Sequence, residues 1–155
     1  MIKKQSAGII VFKIEANELM IFLVHPGGPL WQKKDTGAWS IPKGEFDDDE
    51  NALEAAKREF KEETGYTISG DFIELTTIKQ KSGKMVYAWA VESNIDAENI
   101  QSNSFTMEWP PKSNKIITLP EVDKAAWFTV DAAKTRINPA QVPLIDELAV
   151  KLKAK

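Results

Sequence analysis

The sequence contains no cysteine and only one histidine among its 155 residues. The lack of cysteine excludes disulfide bonds, thiolate zinc sites, iron–sulfur clusters and cysteine nucleophiles. With His25 as the one imidazole, sites that need two or three histidine ligands are excluded as well. Acid–base or metal chemistry in this chain must therefore rely mostly on carboxylates, of which there are 23.

The chain also lacks an excess of positive charge and any long apolar segment. Its net charge is −3 and its 20 lysines and arginines are scattered, so binding of long nucleic acids is not favoured. Apolar runs such as 21–24 are far too short to cross a membrane. The first residues show no signal-peptide cleavage pattern. These features predict a cytoplasmic protein without membrane contact, and they leave a homodimer open.

The length and the 43% hydrophobic content predict one globular domain over residues 1–155. β-Branched and apolar residues predict strands over 7–14 and 18–25. The Pro- and Gly-rich segment that follows predicts a loop. A helix is predicted from about 50 to 64, because this segment is rich in Ala, Glu, Lys and Leu and Gly65 supplies a stop.

The second half of the chain predicts more strands and a final helix. Residues 72–79 and 85–92 flank a Ser-Gly pair and predict a hairpin. Residues 93–123 predict mostly loop with short extended pieces, and 125–130 predict a strand. A last helix is predicted over 139–152, with a proline at its start. This order of elements indicates a mixed α/β or α+β domain.

The predicted first helix carries three carboxylates that do not fit its amphipathic pattern. Glu59, Glu62 and Glu63 have i, i+3, i+4 spacing, which makes them neighbours on the side that carries small alanines. A solvated acidic patch is one interpretation. The other is a divalent metal site, because hard cations such as Mg²⁺ prefer oxygen ligands. Gly44, just before the helix, would let the backbone approach a metal or phosphate closely and offer a carbonyl ligand.

Together these residues resemble the signature of the Nudix hydrolases. That signature reads Gly, five residues, Glu, seven residues, then Arg-Glu-(apolar)-x-Glu-Glu-x-Gly-(apolar). All seven fixed positions are present, as Gly44, Glu50, Arg58, Glu59, Glu62, Glu63 and Gly65. At an average usage of about 0.07 per residue type, seven matches arise by chance in about 10⁻⁸ of windows. Phe60 and Tyr66 stand where the family usually has aliphatic residues, which predicts a packing adjustment without loss of chemistry.

The resemblance implies an α/β/α sandwich around a mixed sheet. It also implies hydrolysis of a nucleoside diphosphate linked to another group, X, by water attack on phosphorus. By family analogy, Mg²⁺ or Mn²⁺ would be held by Glu59, Glu62, Glu63 and the carbonyl at or beside Gly44. Glu50 and Arg58 would form the pair that orients these ligands. The partner would be a small nucleotide-type pyrophosphate.

The general base of this reaction would be a carboxylate, since the one histidine lies outside the signature. Glu62 and Glu63 are candidates within it. Outside it, Glu108 and Glu121 are available, and family members often use such a loop residue. Glu108 is preferred because it lies beside a tryptophan in a long loop, where functional residues concentrate. The alternative for Glu108 is an ordinary surface residue.

Three further residues are candidate substrate contacts. Lys43 precedes the signature glycine and can meet a phosphate. Trp31 can stack on a nucleobase, with a loop-anchoring role as the alternative. His25 can polarise a phosphate or lie near a base, with a plain surface position as the alternative.

Other functions are compatible with the same residues. Dinucleoside polyphosphates or RNA 5′-pyrophosphates are alternative substrates of the same chemistry. A non-catalytic nucleotide sensor is an alternative from another class. The complete carboxylate set argues against the sensor, because degenerate binding domains commonly lose these glutamates.

Overall fold

The computed structural model describes residues 5–153. Residues 1–4, part of the segment in which no signal peptide is predicted, lie outside this range. The described chain forms nine strands: Gln5–Glu15 (β1), Glu18–Pro26 (β2), Lys43–Glu45 (β3), Ile73–Glu74 (β4), Ile78–Lys79 (β5), Met85–Glu92 (β6), Ser104–Glu108 (β7), Ile116–Pro120 (β8) and Val122–Thr129 (β9). Its helices are Ala52–Thr64 (α1), Val130–Arg136 (α2) and Val142–Lys153 (α3). Short 3₁₀ turns cover Ala97–Asn99 and Pro139–Gln141.

Seven of the strands form one mixed sheet in the order β4-β6-β1-β2-β9. β3 pairs with β1, and β5 pairs with β6 next to β4. β1 runs parallel to β6 and antiparallel to β2 and β3. β1 is central and covered on both faces, which is why its sequence is almost continuously apolar instead of alternating.

The two faces of β1 pack into two separate cores. Ala7, Ile9 and Val11 belong to the core under α1. Ile10 and Phe12 belong to the core that includes residues of α2 and α3. Successive side chains of a strand point to opposite faces, so α1 covers one side of the sheet and α2 with α3 covers the other. This arrangement confirms the predicted α/β/α sandwich around a mixed sheet.

The helix predicted from about residue 50 begins two residues later, at Ala52. Asn51 is its N-cap, with the side-chain Oδ1 accepting the Glu54 N–H at 3.1 Å. Gly65 ends the helix in the left-handed conformation, with φ of 83°. None of the helices within residues 5–153 combines the length and apolar content that crossing a bilayer requires.

Two other predictions were wrong in detail. The predicted strand 72–79 is split into β4 and β5, because Thr76 bonds to a side chain and not to the neighbouring strand. Its N–H and hydroxyl both donate to the Glu147 carboxylate of α3, at 2.8 and 3.0 Å. The predicted last helix starts as a 3₁₀ turn at 139–141, and α3 begins only at Val142.

Strand pairing in two predicted loop regions could be recognised only in three dimensions. β3 lies in the segment that was predicted as loop before α1. The extended pieces predicted within 93–123 pair with each other as β7 and β8 in a separate two-stranded sheet. Both pairings join segments that local sequence patterns do not connect.

The two aromatic departures from the family pattern are accommodated by packing. Phe60 is fully buried, with its ring centroid 6.2 Å from that of Phe22. The Tyr66 hydroxyl donates to the Asp96 carbonyl at 2.9 Å. Phe60 lies in the core under α1 and Tyr66 packs against it, and the retention of the chemistry stays a prediction.

Candidate functional site

The site is built where α1 packs against β3. Gly44 of β3 pairs with Ala7 on the face covered by α1. A Cβ atom added to Gly44 would lie only 2.0 Å from Oε2 of Glu59, so any larger residue would displace this carboxylate. The glycine therefore allows the Glu59 carboxylate to lie directly against the backbone of β3.

Arg58 links the acidic residues of the site. Its Nε and Nη2 donate to the two oxygens of Glu50, at 2.8 and 2.9 Å, in a bidentate pair. Its Nη1 donates to Glu59 at 2.9 Å and to Glu62 at 3.3 Å. The hydrogen bond to Glu50 is the largest of several that raise the pKa of Arg58 above its usual range. The structure thus brings together the residues predicted as the orienting pair.

Glu63, the third of these carboxylates, contacts the backbone of β3. Its Oε1 accepts the backbone N–H of Lys43 at 3.3 Å. Burial, together with the charge of Glu59, raises the pKa of Glu63 to about 8. Burial and the charge of Glu62 likewise raise the pKa of Glu59 to about 6. Carboxyl groups with such raised pKa values ionise more readily when a cation lies next to them.

A cavity of about 200 Å³ opens beside Glu63. Three of its lining residues are ionisable, namely Lys43, Glu63 and Glu121, and the rest include residues of β2 and of the segment before β3. Burial and the charge of Glu62 raise the pKa of Glu121. Burial lowers the pKa of Lys43, and so does the nearby charge of Lys84. The cavity therefore has a cation and two carboxyl groups at its wall.

The donor chemistry of the site suits a hard divalent cation. Glu59, Glu62, Glu63 and the Gly44 carbonyl offer only oxygen ligands, which Mg²⁺ and Mn²⁺ prefer. Within the described range, no three acidic or histidine side chains are grouped as a metal cluster. Glu59 and Glu62 instead share Arg58 as a hydrogen-bond donor, and Glu63 accepts the Lys43 N–H.

Of the two candidate bases outside the signature, the structure places Glu121, not Glu108, at the site. Both oxygens of Glu108 accept backbone N–H groups of the β7–β8 loop, from Lys112 and Asn114, each at 3.0 Å. Glu108 therefore stabilises its own loop. Glu121 lines the cavity beside Glu63. The preference for Glu108 relied on its aromatic neighbour, and sequence alone did not show which loop folds back onto α1.

His25 and Trp31 lie in positions that the sequence did not predict. His25 is fully buried, with Nδ1 2.9 Å from Asp123 Oδ1 and Nε2 2.7 Å from the Lys34 carbonyl oxygen. It is neither a surface residue nor placed to contact a substrate, and it joins β2, β9 and the following loop. Trp31 is 38% exposed, and the Lys34 ammonium lies 5.1 Å from its ring centroid. Its indole is therefore still available to a ligand.

Lys84 is a neighbour of the site that the sequence did not predict. Its Nζ lies 3.1 Å from Oε1 of Glu45 in β3, next to the signature glycine. Only the pairing of β6 with β1, and of β1 with β3, brings this turn residue to the site. No local motif could have indicated the contact.

Comparison with known proteins finds one curated protein of similar sequence and solved structures of similar fold. The 8-oxo-(d)GTP phosphatase of Mycolicibacterium smegmatis is 34% identical over 102 residues, which are 64% of this chain and 26% of that protein. The Ap4A hydrolase of C. elegans, solved as a binary complex, has a TM-score of 0.69 at 19% identity and covers 98% of this chain and 99% of its own. The NUDIX domain of NrtR from Shewanella oneidensis, solved with ADP ribose, has a TM-score of 0.68 at 15% identity, with 98% and 90% covered.

The profile of the NUDIX domain matches residues 3–148. The chain spans less than a third of the length of the curated relatives it matches. The two solved structures share its fold at low identity, and the sequence profile extends over almost the entire chain. The glutamates of α1, the arginine that joins them and the glycine of β3 lie within this match, and the chain belongs to the Nudix family.

Proposed function

We propose that this chain hydrolyses a pyrophosphate linkage in a nucleoside diphosphate joined to a second group, X, with Mg²⁺ or Mn²⁺ as cofactor. The observation that carries the proposal is the meeting of the buried Glu59 with the backbone of Gly44, beside the cavity that Glu63 lines. The names of the relatives support a small nucleotide substrate, because they concern 8-oxo-(d)GTP, Ap4A and ADP ribose.

Most residues of the signature then have a defined task. Glu59, Glu62, Glu63 and the carbonyl of Gly44 would hold the cation. When bound, the cation would neutralise charge on the phosphate oxygens and lower the pKa of a water molecule. Arg58, fixed by its two bonds to Glu50, would keep the Glu59 and Glu62 carboxylates in place.

The remaining residues would act on the substrate and the water. Lys43 would contact a phosphate from the wall of the cavity. Glu121, on the same wall, would take the proton of the attacking water. Trp31 would stack on the base, since its ring is exposed in the loop that follows β2. A cytoplasmic location, a single domain over 1–155 and a possible dimer stay predictions from the sequence.

The test is a panel of nucleotide substrates with and without metal. The panel contains nucleoside diphosphate sugars, nucleoside triphosphates, dinucleoside polyphosphates and a short RNA with a 5′-pyrophosphate. We expect the products of pyrophosphate cleavage to form with Mg²⁺ or Mn²⁺ and not in excess EDTA. Nucleotide binding without metal-dependent turnover on any member would contradict the proposal and favour the sensor. Turnover of the RNA alone would favour the RNA alternative.

The choice of general base has its own prediction. Glu121→Gln is expected to lower kcat by about 10²- to 10⁴-fold, the usual contribution of a positioned base. Glu108→Gln is the matched control and should stay within about twofold, as surface substitutions do. The measurement is kcat across pH 6 to 9 with the best substrate of the panel. A large loss in the Glu108 variant, with little loss in the Glu121 variant, would reverse the assignment.

A further inference from the structure

The segment just before β7, residues 101–103, runs along the end of α1. The last carbonyl groups of a helix have no partner within the helix and must find one elsewhere. Here the Gln101 N–H donates to the Thr64 carbonyl at 2.8 Å. The Asn103 N–H donates to the Glu62 carbonyl at 2.7 Å. The segment therefore fixes the backbone of Glu62, which is one of the three glutamates of the site.

The same segment also holds the backbone of Glu121. The Glu121 N–H donates to the Asn103 carbonyl at 2.8 Å. Asn103 is thus bonded through its N–H to Glu62 and through its carbonyl to Glu121. Two glutamates that are far apart in sequence are therefore held at a distance that one residue between them sets.

Ser102 strengthens this link through its side chain. Its hydroxyl oxygen accepts the N–H of Val122, the residue after Glu121, at 3.0 Å. The same hydroxyl donates to the Asn103 carbonyl at 2.8 Å, and that carbonyl also accepts the Glu121 N–H. Val122 is buried in the core under α1, so removal of the hydroxyl would take a hydrogen-bond acceptor from a buried N–H. The hydroxyl therefore ties the start of β9 to the segment that runs along α1.

The end of β2 holds Glu121 from another side. The N–H of Gly27, which directly follows β2, donates to the Glu121 carbonyl at 2.9 Å. A Cβ atom added to Gly27 would lie only 2.1 Å from the carbonyl oxygen of Pro120, so the two backbones are in direct contact. Glu121 thus lines the cavity beside Glu63 from a backbone that is bonded at its N–H and at its carbonyl.

We propose that Ser102 is a positioning residue of this site. Its bonds to Val122 and Asn103 hold Glu121 at the distance from α1 at which the carboxylate can take a proton from the attacking water. Ser102 is not part of the cavity wall, so it acts through Glu121. The inference rests on the proposed function, in which Glu121 is the general base and Glu62 is a metal ligand.

The kinetic test removes the hydroxyl and then restores it. Ser102→Ala is expected to lower kcat by about 10- to 100-fold with little change in KM, because a displacement of about 1 Å has effects of this order. Ser102→Thr keeps the hydroxyl and should recover most of the wild-type kcat. Ser113→Ala is the matched control, because the Ser113 hydroxyl also accepts a backbone N–H, that of Lys115 at 3.2 Å, but within the β7–β8 loop. The control should stay within about twofold of the wild type.

A double variant separates positioning from general damage to the fold. In the Glu121→Gln background, Ser102→Ala should change kcat by less than about twofold, because the group that Ser102 positions is already absent. A further loss as large as in the wild-type background would overturn the proposal, since the hydroxyl would then act independently of Glu121. A wild-type kcat in Ser102→Ala, or an equal loss in Ser113→Ala, would overturn it as well.

A second test does not depend on turnover. Amide hydrogen exchange of the metal-free protein is followed by NMR at Glu121 and Val122. Loss of one hydrogen bond predicts exchange at these amides that is about tenfold faster in Ser102→Ala, with wild-type rates in Ser102→Thr and Ser113→Ala. Unchanged exchange in Ser102→Ala would overturn the anchoring. If the wild type hydrolyses no member of the substrate panel, the proposed function fails by itself, and the exchange rates still decide whether Ser102 holds Glu121.

Discussion

Replacing Glu63 by glutamine is expected to lower metal-dependent turnover by at least about 10³-fold, while the protein stays folded. The amide has the size of the carboxylate and its oxygen can still accept the Lys43 N–H, so the packing of α1 is kept. It cannot supply the negative charge that a divalent cation requires. The measurement is kcat with saturating Mg²⁺ or Mn²⁺, together with the melting temperature at increasing metal concentration.

The stability of the metal-free protein provides a second readout of the same variant. The pKa of Glu63 is raised from 4.5 to about 8 in the folded chain, so the folded state holds this proton more tightly than the unfolded state. The contribution of Glu63 to folding stability therefore falls as the pH rises from 4.5 towards 8. In EDTA at pH 8, Glu63→Gln should melt at or above the wild-type temperature, and added metal should raise its melting temperature less.

Glu54→Gln is the matched control, because Glu54 lies on the same helix and is largely exposed. This variant should keep both turnover and the metal-induced rise in melting temperature. Turnover of Glu63→Gln within about tenfold of wild type, at a metal concentration that saturates the wild type, would contradict the metal-site assignment.

Replacing Gly44 by alanine is expected to lower kcat/KM by at least about 10²-fold, because displacement of a site by about 1 Å has effects of this size. The new Cβ would lie 2.0 Å from Glu59 Oε2, so either the carboxylate or β3 must move. We also expect a loss of about 1–3 kcal/mol in unfolding free energy, which is typical of overpacking. Kinetics and denaturant unfolding of the purified variant measure the two effects.

A double variant tests whether the contact with Glu59 is the cause. Glu59→Asp in the Gly44→Ala background shortens the side chain and should recover part of the lost stability, but not the activity. Gly37→Ala is a control for the glycine substitution, since the nearest atom to its Cβ would be 3.7 Å away. That control should lose some stability from its positive φ of 73° and keep its kcat/KM. Equal loss of activity in both glycine variants would show that crowding at Glu59 is not the reason.

The parts of the molecule that were predicted correctly depend on residues close together in sequence. The helix α1 could be predicted because its composition and the glycine stop at Gly65 lie within one short segment. The closeness of Glu59, Glu62 and Glu63 follows from helical spacing alone. The meeting of Arg58 with Glu50 was expected from the family pattern, and the bidentate contact is present.

The placement of the residues around the site depends mostly on contacts between groups that are distant in sequence. Glu121 reaches the site because β9 pairs with β2, while Glu108 is held by its own loop. His25 is buried because Asp123 and the Lys34 carbonyl cover it. The contact between His25 and Asp123 and the pairing of β9 with β2 join segments about 100 residues apart, so the place of the histidine and of Glu121 could not be predicted from a sequence window.

The composition and the local spacing of residues limit the chemistry that is open to this protein. Without cysteine and with one histidine, the sequence leaves oxygen ligands for a metal, and helical periodicity collects three of them on α1. The groups that face those carboxylates depend on the tertiary structure, because Gly44 and Glu121 reach them through strand pairing. Pairing depends on the burial of whole strands on both faces of the sheet, and that information is spread over the entire chain.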